Sequence, residues 1–174
     1  SGSGKTTLLH TLAGVVQPDH GSVRLEDRDL ATLEPGKELS RYVGVMHQQF
    51  DLVDELPVIH NVLAGRLGEW SLAKSLWSLL SPRDRERARE ALRRVGIEDK
   101  IHEKTAHLSG GEQQRVALAR LLVQNPRAIL ADEPVASVDP ARARNLLETL
   151  FTITREENVT LLTSLHSVSL ALEF

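Results

Sequence analysis

The chain has 174 residues, 41% of them hydrophobic and 26% charged, which suits one domain-sized globular unit with a sizeable core and no disordered class. A formal net charge of -3, with 3% aromatic residues and no lysine-arginine run interleaved with them, gives no sign of a nucleic-acid groove. The lack of cysteine excludes disulfides and thiolate metal sites and agrees with a reducing compartment, and no apolar run approaches the roughly 20 residues of a membrane span, so a soluble protein able to dock on a membrane partner is expected.

The sequence opens with Ser1-Gly2-Ser3-Gly4-Lys5-Thr6-Thr7, followed by Leu8, Leu9, Leu12 and Ala13 at helical spacing and by Gly14 as a stop. Gly4-Lys5-Thr6 is the diagnostic end of a P-loop. Small residues there let backbone N–H groups wrap phosphates, the lysine reaches the β- and γ-phosphates, and the threonine hydroxyl ligates magnesium. The opening glycine of that pattern falls before Ser1, so the motif and the strand in front of it read as truncated. A flexible Gly-Ser terminus is the bland alternative, and the amphipathic helix that follows directly argues against it.

Pro18 to Gly21 reads as a turn and Ser22 to Glu26 as a short strand with Val23 and Leu25 on one face. Glu34-Pro35-Gly36 breaks the chain before a brief polar helix, and Tyr42 to Met46 forms an apolar run compatible with a buried strand. That strand runs into His47-Gln48-Gln49-Phe50. A glutamine at a strand end can reach a metal or a water through its amide, although most such glutamines are solvated turn residues.

From Leu56 to Val95 the pattern is helical, with Pro57 near one start and Val58, Val62, Leu63 and Leu67 as an apolar set. Trp70 to Leu80 is apolar enough to cover a surface or a partner. Ser81-Pro82-Arg83-Asp84 resembles a helix cap with proline at the first helical position, and Ala88, Ala91, Leu92 and Val95 supply a buried stripe that Gly96 ends. The block reads as a helical insert between two α/β segments. His60, His102 and His107 lack metal-ligand spacing and are expected to be structural or exposed.

Leu108-Ser109-Gly110-Gly111-Glu112-Gln113-Gln114-Arg115 combines a Leu-Ser step, two glycines read as a tight turn, and a polar first helical turn. Unpaired N–H groups, the helix dipole and a serine hydroxyl make such a start a good phosphate seat, while a ligand-free helix start is the commoner occurrence. The helix continues through Val116, Leu118, Leu121 and Leu122 to Asn125-Pro126. Ala128 to Pro134 then reads as a buried strand ending in Asp132 and Glu133. In open parallel sheets ligands bind beyond the carboxyl ends of strands, where an aspartate can hold a nucleotide's magnesium and a glutamate can accept a proton from attacking water. Asp139-Pro140 caps a helix with Leu146, Leu147, Leu150 and Phe151. Val159 to Leu165 is the last strand, and a right-handed crossover places His166 at the same sheet edge as Asp132.

The ordered set of P-loop, Gln48, Leu108 to Arg115, Asp132-Glu133, Ser137-Val138-Asp139 and His166 resembles the ATP-binding cassette family over essentially the whole chain. The resemblance implies an α/β P-loop NTPase fold of the RecA-like kind, truncated at both ends, with residues 1–50 and 115–174 as core and 51–114 as an inserted α-helical subdomain. It implies that Ser1, Gly2, Ser3, Gly4, Lys5, Thr6 and Thr7 bind ATP, and that Ser109, Gly110, Gly111 and Asp139 serve the nucleotide across a head-to-tail homodimer. Thr6, Gln48 and Asp132 are implied as ligands of Mg2+, and Glu133, Gln48 and His166 as the catalytic group. Transmembrane permease subunits, a solute-binding protein met indirectly and a peripheral place on the cytoplasmic face of the inner membrane follow from the same resemblance. Within the family, Gln48 to Val53, Ala131 to Ser137 and Ser164 to His166 look most like the ATPase subunit of phosphonate importers. An importer of another small solute and a regulatory cassette with little ATPase activity are the alternatives. His47, where the family often has an aromatic residue, and Ser167, where importers often have an acid, depart from the pattern. The strand with an adenine-stacking aromatic is expected to lie outside this sequence.

Overall fold

The computed structural model describes residues 4–47, 49–70, 84–136 and 138–174. Its centre is a parallel sheet of β3 (Val43–Met46), β4 (Ala128–Asp132) and β5 (Thr160–Ser164), with β4 in the middle. Val43 pairs with Ala128 and Met46 with Ala131; on the other side Ala128 pairs with Thr160 and Asp132 with Ser164. All three carboxyl ends therefore lie at one edge. β4 is buried on both faces, which its unbroken apolar run anticipates.

The alternation along the strands divides the core in two. Val43 and Leu130 join Leu9, Ala13, Leu30 and Leu33 in a small cluster beneath α1 (Lys5–Leu12). Met46, Ile129 and Ala131 point the other way, into a larger cluster. That cluster is filled by α3 (Val58–Leu63), α4 (Arg85–Arg94), α5 (Gly110–Gln124) and residues of α6 (Pro140–Glu156). In α1 the expected stripe holds for Leu9 and Ala13, but Leu8 is 58% exposed.

Two expected elements are shorter than the sequence pattern suggests. The strand read at Ser22 to Glu26 is reduced to β1 (Arg24–Leu25), paired antiparallel with β2 (Arg28–Asp29). Glu26 and Asp27 between them have φ of 48° and 61°, a two-residue hairpin turn made without the usual asparagine or glycine signal. In the helical stretch, α3 ends at Leu63 and the chain continues as a 3₁₀ segment, Ala64–Glu69. Close packing accounts for the change: a Cβ on Gly65 would stand 2.3 Å from the Arg120 carbonyl oxygen of α5, and one on Gly68 2.2 Å from Ser40 Oγ. Leu67 is 48% exposed there rather than part of the apolar set. The expected cap residues Ser81, Pro82 and Arg83 lie outside the described residues; α4 starts after Asp84, with no side-chain cap bond.

A buried polar pin holds the helical part together. Asn61 accepts from the Val53 N–H at 2.8 Å and donates to the Val53 carbonyl and to Thr105 Oγ1, both at 2.9 Å, while Thr105 Oγ1 donates to the Leu56 carbonyl at 3.1 Å. The brief polar helix is α2 (Leu39–Tyr42). The last helix among the described residues is α7 (Val168–Glu173), capped by Ser167. No helix among the described residues is long and apolar enough to cross a membrane.

Candidate active site

Two chain segments, the turn after β4 and the start of α5, meet beyond the carboxyl edge of the sheet, and the start of α1 is the third segment the sequence singles out. Gly4, with φ 80°, stands at the N-cap of α1, a left-handed conformation that glycine adopts without steric cost. Lys5, Thr6 and Thr7 then form the first helical turn, with Thr6 and Thr7 exposed. The first turn of a helix, where N–H groups have no intrahelical acceptor and the dipole end is positive, favours a phosphate. Ser1, Gly2 and Ser3 lie outside the described residues, as does Gln48, which follows β3 by two positions.

The strongest contacts join the ends of β4 and β5. Ser164 Oγ donates to Asp132 Oδ1 at 2.7 Å and accepts from the Glu133 N–H at 2.9 Å. Glu133 has φ 49°, which turns the chain sharply as the strand ends. Its carboxylate Oε1 stands 2.7 Å from His166 Nε2. The parallel register of Asp132 with Ser164 makes this possible: the residue after one and the residue two beyond the other rise from the same edge. Ser164, 8% exposed, was not marked by the sequence pattern, because a serine ending a strand carries no signal of its own.

The Ser109 stretch shows how its seat is built. Ser109 is the N-cap of α5 in a full capping box: its N–H donates to Glu112 Oε2 at 2.8 Å, its hydroxyl donates to the same oxygen at 2.7 Å, and the Glu112 N–H reaches back to Ser109 Oγ at 3.4 Å. The Ser109 hydroxyl, followed by its N–H, pulls the Glu112 carboxyl below its ordinary range. The expectation of a tight turn made by two glycines is corrected. Gly110 and Gly111 are the first helical residues, neither has positive φ, and the extended backbone of Ser109 makes the turn. A Cβ on either glycine would meet no atom within 4 Å.

Gln114, buried in the next turn, donates to the Pro134 carbonyl at 2.7 Å and ties α5 to the loop after β4. Asp139 accepts from the Arg142 N–H at 3.1 Å as the cap of α6, and pairs with Arg142 Nε at 3.3 Å. A cleft of about 320 Å³ opens between these elements, lined by Gly110, Gly111, Gln114, Glu133, Asp139 and Arg142 among others. It unites the helix start, the glutamate and Asp139. Gly4 to Thr7 do not line it.

A hard cation fits the donor set of the edge. Asp132 spends one carboxylate oxygen on Ser164, leaving the other available, and the Thr6 hydroxyl is exposed. Among the described residues no three His, Cys, Asp or Glu side chains cluster to hold an ion alone, so such an ion needs oxygens from water and phosphate, the usual habit of magnesium.

A glycine-led helix start for phosphate, and acids at the carboxyl edge of a parallel sheet, define a P-loop NTPase of α/β class. The family described as ABC transporter matches residues 1–136. Over 177 aligned residues the chain is 41% identical to the phosphonates import ATP-binding protein PhnC of Lactobacillus johnsonii, covering 100% of this chain and 69% of that protein. The protein of the same description from Thiobacillus denitrificans is 42% identical, with 100% and 67% covered. Among solved structures, the ADP conformation of the ATP-binding cassette MJ1267 superposes with a TM-score of 0.84 at 27% identity, covering 99% of this chain and 70% of that one. The dimeric post-hydrolysis state of the cassette MJ0796, bound to ADP and Pi, gives 0.78 at 29%, covering 98% and 73%. The chain belongs to the ABC transporter family.

Proposed function

We propose that the protein is the ATP-hydrolysing subunit of an importer that takes up phosphonate or a related oxyanion through a separate membrane permease. The observation that carries the catalytic half is the Glu133–His166 pair, 2.7 Å apart, beside an Asp132 whose carboxylate is oriented by Ser164. The solute half rests on relatives over 40% identical that are described as phosphonate import ATP-binding proteins.

In this reading the P-loop amides and Lys5, with Ser1 to Thr7 around them, bind the ATP phosphates, and Thr6, Gln48 and Asp132 hold Mg2+. The ion, when bound, neutralises charge on the β- and γ-oxygens. Glu133 accepts the proton of the attacking water. His166, paired with Oε1 at 2.7 Å, fixes which way that carboxylate faces and presents its ring toward the γ-phosphate, with Gln48 placing the water. Ser109, Gly110, Gly111 and Asp139 serve the ATP held by the P-loop of a second, head-to-tail copy. The open space above both glycines, and a cleft that Gly4 to Thr7 do not line, support that division of labour. The dimeric cassette among the similar structures supports pairing itself. Residues 51–114 form the helical part that meets the permease, with 1–50 and 115–174 as the nucleotide-binding core; the protein is then peripheral to the cytoplasmic face of the membrane, and a solute-binding protein acts on it only through the permease.

Glu133→Gln is the direct test. It keeps size and hydrogen bonding but removes the base, so steady-state ATPase should fall by ~10²–10⁴-fold while ATP affinity, read by equilibrium binding, stays within about twofold of wild type. Unchanged turnover removes Glu133 from the role of base.

A further inference from the structure

Ser109 and its two glycines bring four donors to the start of α5: the Ser109 hydroxyl, its N–H, and the N–H groups of Gly110 and Gly111. Two of the four are engaged within the chain. Glu112 Oε2 accepts from the Ser109 N–H at 2.8 Å and from the Ser109 hydroxyl at 2.7 Å. The two glycine N–H groups have no acceptor among the described residues, as expected of the first donors of a helix, which lie beyond reach of any intrahelical carbonyl. One carboxylate oxygen thus takes both Ser109 donors at the positive end of a 15-residue helix, where an oxyanion is best held. A phosphate oxygen approaching the Ser109 hydroxyl meets a negative charge already bonded to it.

The carboxylate has a second place to go. Glu112 is half-buried on the wall of an open groove of about 730 Å³, which Ser109, Asp99, Lys100, Arg115 and Arg142 also line. Lys100 is engaged by Glu103 at 2.9 Å and Arg142 by Asp139 at 3.3 Å. Arg115, three residues after Glu112 and so on the same face of α5, donates from Nη1 to the Val95 carbonyl at 3.2 Å. It forms no ion pair within 4 Å among the described residues. Its charge, with that of Lys100, nevertheless adds to the larger pull of the Ser109 bonds on the Glu112 carboxyl. We propose that the Glu112 carboxylate is an internal anion that competes for the Ser109 donors with the phosphate of a second copy's ATP, and that it turns aside to Arg115 before the two copies close on that nucleotide. This inference rests on the reading that Ser109 serves the ATP of a second copy.

The test is ATP-dependent pairing of the protein, followed by sedimentation in the Glu133→Gln background, where slow turnover lets the ATP-bound pair accumulate. Glu112→Gln keeps an acceptor but carries no charge. It should lower the dissociation constant of the pair about three- to thirtyfold while also lowering the melting temperature measured without nucleotide. A residue that only holds the helix start would weaken both. Arg115→Met should weaken pairing, and the same change in the Glu112→Gln background should have little effect. Pairing that is unchanged or weaker in Glu112→Gln, or an Arg115→Met loss that is equal in the two backgrounds, overturns the proposal. Ser109→Arg separates this inference from the reading beneath it. If Ser109→Arg abolishes pairing while Glu112→Gln fails to strengthen it, Ser109 keeps its role and the competition falls. If ATP-dependent pairing survives Ser109→Arg, or the Glu133→Gln parent does not pair, the reading of Ser109 falls and the inference with it.

Discussion

Ser164 is bonded on both sides of its hydroxyl, donating to Asp132 and accepting from the Glu133 N–H. One small side chain therefore sets the direction of the Asp132 carboxylate and the bend at Glu133. Ser164→Ala leaves a part-buried N–H without its partner, at about 1–3 kcal/mol, and frees the Asp132 carboxylate to rotate. We expect a lower urea midpoint together with a kcat loss larger than the stability change explains, measured on the same preparation. Asp132, Glu133 and His166 stood out in the sequence as acids closing an apolar strand and a histidine closing the next, within an ordered set of motifs that resembles one family. Ser164 did not, since its role depends on strand register, which no local pattern encodes.

The helix that begins at Ser109 shows how an element can be read correctly for an incorrect reason. Its start and its end at Asn125, whose φ is 54°, match the sequence reading. The two glycines do not make the turn, because a serine cap with extended backbone already does. Ser109→Ala should cost about 1 kcal/mol at neutral pH, the ordinary value of an N-cap. The Glu112 carboxyl is held below its usual range by Ser109, so this stabilisation is complete above the ordinary carboxylate pKa and is lost as pH falls through the lowered folded value. Denaturation between pH 7 and pH 3 should show the loss in wild type, and a shallower acid limb in Glu112→Gln, which keeps a capping-box acceptor at that position. The 3₁₀ segment after α3 was hidden for another reason: helical spacing of apolar residues cannot reveal that Gly65 lies on the backbone of α5. Gly65→Ala puts a methyl group 2.3 Å from a carbonyl oxygen, and overpacking of about 1–3 kcal/mol should appear as a reduced melting temperature.

At the scale of the molecule, β4 sends Leu130 into one hydrophobic cluster and Ile129 with Ala131 into the other. Loosening either cluster strips one face of the same strand, so the described parts should unfold together. Both tryptophans, Trp70 and Trp77, fall between Leu56 and Val95 in the sequence, which makes the experiment simple: fluorescence reports that stretch and far-ultraviolet circular dichroism reports the whole. Coincident urea transitions are the expected outcome; a separate early fluorescence transition would show the helical part melting alone. The apolar runs and their order already outlined the α/β sheet, whereas the sharing of one strand between two clusters needed the three-dimensional register. The vacant space above Gly110 and Gly111 has a practical use as well. The chain contains no cysteine, so a single one introduced at Gly110 would be its sole thiol, at a position where a Cβ has open space. A dye attached there would stand in the open cleft and should change colour or brightness when another molecule covers it.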